Sequence, residues 1–97
     1  MKYIKTYEHT IDEGEYVIVK SIHPELNDFV TNTIGKIVET SDRGIFVHYY
    51  VDIPDEIDDV FFRNGRVREF PKTAIIIKSK NKKDLEEFLQ QKNKFNI

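Results

Sequence analysis

The chain has no cysteine and no tryptophan, only four glycines and three prolines, and a single methionine in 97 residues. Without cysteine there are no disulfides, no thiolate metal ligands and no cysteine nucleophile. A secreted domain of this size commonly needs disulfide staples, so their absence favours a cytoplasmic protein. No long apolar run is present, and Met1-Lys2-Tyr3-Ile4-Lys5 has no hydrophobic region behind it. Neither a membrane segment nor a signal peptide is expected. Four scattered glycines make no phosphate-binding loop. Ser21, Ser41 and Ser79 have no nucleophile-elbow context. His9, His23 and His48 lack metal-ligand spacing. The chain therefore reads as non-enzymatic, with no cofactor and no metal.

What is present is ordinary for a globular chain: 39% hydrophobic and 33% charged residues, with seven Phe and five Tyr to fill a small core. One domain over 1–97 is the simplest organisation. The net charge of -2 hides an asymmetry. Residues 1–59 hold thirteen acidic and five basic side chains; residues 60–97 hold four acidic and ten basic. Asp52, Asp55, Glu56, Asp58 and Asp59 form the densest acidic group. Arg63, Arg66, Arg68 and Lys72 begin the basic half, which continues to Lys83.

The clearest local signal is a hairpin. Thr33–Thr40 and Ile45–Val51 are β-rich runs around the polar turn Ser41-Asp42-Arg43-Gly44. Alternation puts Ile45, Val47, Tyr49 and Val51 on a core face. Phe46, His48 and Tyr50 fall on the other face and form the candidate contact surface. Glu15–Ile22 reads as a strand covered on both sides, since both its faces are apolar. His23-Pro24 ends it, and Leu26, Phe29 and Val30 predict a short helical insertion over about 24–30.

A second short helix is predicted over about 54–60, with Pro54 first and Asp55 and Glu56 in its first turn. Ile53, Ile57, Val60 and Phe61 would share its buried face. Asn64-Gly65 is a turn signal that competes with this helix for Phe61. Strands follow at 66–70 and 75–78, separated by a tight turn at 70–74. Asn81 caps a terminal helix over about 82–92 with the stripe Leu85, Phe88, Leu89; Ser79 is the alternative cap. Residues 1–10 read as an edge strand or a frayed tail.

Gly14-Glu15-Tyr16-Val17-Ile18-Val19, Ile34-Gly35-Lys36-Ile37-Val38, Gly44-Ile45-Phe46-Val47 and Arg68-Glu69-Phe70-Pro71 follow one another in the order seen in small SH3-like and KOW-like domains. The chain resembles that family over 14–78, and also resembles SH3-like phage and plasmid proteins of AT-rich bacteria. The resemblance implies a mostly β fold, a five-stranded SH3-like barrel carrying a C-terminal α-helix. It departs from peptide-binding SH3 domains in having no tryptophan, and from RNA-binding KOW domains in its acidic first half. The function expected is a non-catalytic, protein-binding module for a host or phage partner. Phe46, His48, Tyr50, Asp55, Glu56, Asp58 and Asp59 are its candidate contacts. The alternative is a nucleic-acid binder using Arg63, Arg66, Arg68 and Lys72 on phosphates.

Overall fold

The computed structural model describes residues 11–62 and 65–95, with side chains to residue 92. The readings of 1–10, of His9, of Arg63, of the Asn64 half of the Asn64-Gly65 turn and of residues 96–97 fall outside these limits.

β-branched residues set the first strand, β1 (Tyr16–Val19), shorter than the predicted Glu15–Ile22. It ends early because the Lys20 N–H bonds to the Ala74 carbonyl and the chain then turns into α1 (Pro24–Val30). Ile22 is left 93% exposed. Pro24 opens α1, whose Leu26 and Val30 are buried one turn apart. The hairpin follows as β2 (Gly35–Thr40) and β3 (Gly44–His48). Its turn is held by the Ser41 hydroxyl, which accepts from the Gly44 N–H at 3.2 Å.

Five antiparallel strands make one sheet in the order β4-β3-β2-β1-β5, with β4 at Val67–Pro71 and β5 at Ile75–Ser79. Only the 3₁₀ turn Lys72–Ala74 separates β4 from β5, although they are the two edges of the sheet. The sheet must curl strongly for its edges to meet at that turn. No ladder joins β4 to β5 among the described residues, so the sheet is open.

Inside the curl, Val17 and Val19 pack with Ile37, Ile45, Val47 and Phe70. Ile18, on the other face of β1, is buried with Ile77 and with Leu85 of α3 (Lys82–Phe95). The doubly apolar β1 is thus covered on both sides, as its sequence requires. Both candidate caps act on α3. The Lys83 N–H bonds to the Asn81 side chain, and the Ser79 hydroxyl donates to Asp84 at 2.6 Å. At the far end Lys92 donates to the Thr31 carbonyl at 3.0 Å, tying α3 to the end of α1.

The acidic insertion differs from its predicted form. α2 (Asp55–Ile57) runs directly into a π-helical turn, Asp58–Phe62. A π turn brings residues five apart onto one side. Ile57 and Phe62 are therefore both buried, Phe61 is half-buried, and Val60 is 62% exposed, against the predicted Ile57/Val60/Phe61 stripe. Phe62 gains edge-on contacts to Phe29 and Tyr49, with ring centroids 6.3 and 5.8 Å apart. Val51 is also corrected: β3 ends at His48, alternation stops, and Val51 is 46% exposed rather than in the core.

Tyr49 is fully buried and its hydroxyl has no hydrogen-bond partner among the described residues. Burial alone pushes its pKa far above the ordinary value of 10.0. Tyr49→Phe removes the unsatisfied hydroxyl and keeps the ring packing. It is expected to raise stability by about 1 kcal/mol in urea unfolding. Above pH about 10 the unfolded chain ionises this phenol while the folded chain keeps it neutral, so wild-type stability falls with rising pH. The variant loses this contribution to alkaline destabilisation; an unchanged alkaline limb would refute the assignment.

Candidate functional site

α3 covers the outer side of the β1–β5 half of the sheet through Leu85, Phe88 and Leu89. Among the described residues, the outer side of β2–β3–β4 receives no such cover. There the register sets His48 between Lys36 and Val67, and Phe46 between Glu39 and Glu69. A register shift between Ile37 and Glu39 leaves Val38 as a bulged residue, and Val38 and Glu39 are both exposed. Phe46 and His48 are half-buried, while Tyr50 is 60% exposed. The Tyr50 ring lies against His48 at 4.1 Å between centroids, although Tyr50 is already past the end of β3. The three predicted aromatic positions thus form one surface, and exposed Val38 and Val67 enlarge it.

Sequence reasoning missed both valines. Val67 had a usable signal, since it lies on a predicted strand with the opposite parity to Phe70. The bulge at Val38 had none.

The acidic residues occupy a different part of the fold. Ile53, Ile57 and Phe62 anchor the insertion to the main core, and Asp55, Glu56 and Asp59 are exposed while Asp58 is half-buried. Among the described residues, no ion pair, hydrogen bond or ring contact links them to Phe46, His48 or Tyr50. The carboxylates nearest the aromatic rows by register are Glu39 and Glu69.

The basic candidates are dispersed. Arg66 pairs with Asp52 at 3.1 Å on the surface. Lys72 is exposed in the 3₁₀ turn. Arg68 lies opposite the buried Val47, which turns it toward the concave side of the sheet. Its guanidinium sits 5.2 Å from the Phe61 ring centre and 5.8 Å from that of Phe70, and donates to the Phe61 carbonyl at 3.0 Å. These residues do not form a single basic stripe.

No group of three His, Asp or Glu side chains able to hold a metal ion is found among the described residues. No helix among them is long and apolar enough to cross a membrane. No family model, curated protein or solved structure matches the chain.

Proposed function

We propose that the protein is a non-catalytic interaction module of SH3-like barrel type that binds a protein through the outer face of β2–β3–β4. The barrel reading is supported by the strand order, by the one-turn 3₁₀ connection from β4 to β5, and by the Lys20–Ala74 hydrogen bond near the seam. The binding reading rests on one observation. Half of the outer sheet face is sealed by α3, and the other half carries the His48–Tyr50 ring pair with exposed Val38 and Val67. Apolar patches of this kind, rimmed by charge, serve as contact surfaces. Glu39 and Glu69 beside Phe46 favour a partner whose own apolar patch is bordered by basic residues.

The double variant Tyr50→Glu/Val67→Glu places charges on exposed positions and is expected to leave the fold intact. It should abolish partner capture from host lysate. Neutralising Asp55, Glu56, Asp58 and Asp59 tests whether the acidic insertion adds to the contact. If the double variant keeps every partner, the outer face is not the binding surface. A salt-sensitive gel shift abolished by Arg66→Glu/Lys72→Glu would instead support nucleic-acid binding.

A further inference from the structure

We propose that the cleft between the Lys20–His23 segment and β4 binds the free C-terminal carboxylate of an extended peptide, with Arg68 as the carboxylate's partner. The cleft has a volume of about 510 Å³, and its walls include Ile22, His23, Arg68, Glu69, Phe70 and Pro71. It meets the outer face of the sheet at Glu69.

Arg68 is the reason to assign an anion here. Two phenyl rings and the Phe61 carbonyl fix its guanidinium in place. One terminal nitrogen is used on that carbonyl, while Nε is buried and has no partner among the described residues. No carboxylate pairs with Arg68 among the described residues. Arg68 lines the cleft, and its held guanidinium, with an N–H unused among the described residues, can take an acceptor there once the atoms that cover Nε move aside. Lys20 on the opposite wall adds a second positive charge, offset in part by Glu69. This modest balance suits a monoanionic carboxylate, matched in shape to a guanidinium fork, better than a phosphate dianion.

The neighbouring strand edge favours a peptide over a small acid. The Tyr49 N–H bonds to the Arg66 carbonyl, which fixes the alternation along β3–β4. Positions 66, 68 and 70 then bond toward β3, and the backbone groups of Val67 and Glu69 point to the open edge. An extended segment can add to that edge while its terminal carboxylate meets Arg68. Ile22 and Phe70 supply apolar walls for its last side chains.

The test is selection of peptides with free C-termini from a random display library against the full chain. A selected peptide is then synthesised as the acid and as the C-terminal amide. The acid should bind about tenfold or more tightly than the amide, and Arg68→Lys should lose a similar factor. Binding should shift the Arg68 Nε–H and Glu69 amide resonances. Ile22→Glu, at an exposed site that does not threaten folding, should weaken the acid by like-charge repulsion. Tyr50→Glu alone, at an exposed position that does not line the cleft, should leave this binding unchanged, which separates it from the outer-face reading. Failure to select any peptide, or equal binding of acid and amide, overturns the proposal. So does an Arg68 Nε–H response to acetate alone as large as that to the peptide, which would assign the site to small carboxylates.

Discussion

Gly44→Ala is expected to destabilise the protein by about 3 kcal/mol, read as a fall in the urea midpoint at unchanged slope. A Cβ at this position would lie 2.2 Å from the Phe70 carbonyl oxygen, 3.0 Å from its carbon and 3.2 Å from the Pro71 Cα. These are backbone atoms of β4, so no side-chain rotation relieves the overlap. Gly44 faces Pro71 and Ile45 faces Phe70, and β4 could yield only by moving away from β3 at that end. That movement would stretch the ladder and lift the buried Phe70 from the core. Gly35→Ala should be comparably costly: its Cβ would meet Val47 Cγ1 at 2.3 Å and Tyr49 Cε1 at 2.9 Å, and both side chains are fully buried in the core, where neither has room to move away. A Gly44→Ala midpoint indistinguishable from wild type would mean that β3 and β4 do not approach as described.

The same two strands show what a single sequence can and cannot reveal. The hairpin was legible because Ser41–Gly44 combines turn chemistry with flanking β-branched runs. Asn81 and the Leu85/Phe88/Leu89 stripe marked α3 for similarly local reasons. The faces of Phe46 and His48 followed from simple alternation. The misses were set by distant partners. The π turn exists so that Phe62 reaches Phe29 and Tyr49, a gain invisible in the spacing of Ile53, Ile57, Val60 and Phe61. The Val38 bulge is a property of a strand pair, and no feature of β2 alone encodes it. Arg68 reads as a surface cation by residue type, yet its register opposite Val47 turns it inward between two rings. The two apolar faces of β1 implied cover on both sides, but whether the sheet edges would pair was beyond any local pattern.

Glu15→Ala should be at least as damaging, costing about 3–5 kcal/mol, because it breaks a buried ion pair from one side. Lys78 Nζ lies 3.1 Å from both Glu15 carboxylate oxygens. The two side chains are only 9% and 7% exposed. The carboxylate also accepts the Asp12 N–H at 2.9 Å, and the Glu15 carbonyl accepts the Ile37 N–H at 2.8 Å. Glu15 thus fixes the entry to β1, while Lys78 lies opposite Val17 on β5. Alanine removes a carboxylate that lies 3.1 Å from the Lys78 ammonium, at a site where both side chains are almost fully buried. The physical claim is therefore asymmetric. The single variant should be severe, whereas Glu15→Met/Lys78→Met, which removes both charges and keeps apolar volume, should recover at least half of the loss. Added salt should change the Glu15→Ala cost little, since a pair so poorly exposed is weakly screened. The surface pair Arg66–Asp52 is the control: Asp52→Asn should leave the midpoint where it was. If the double variant is as unstable as the sum of Glu15→Met and Lys78→Met taken separately, the two charges are not coupled, and the contact between β5 and the start of β1 is not an ion pair in solution.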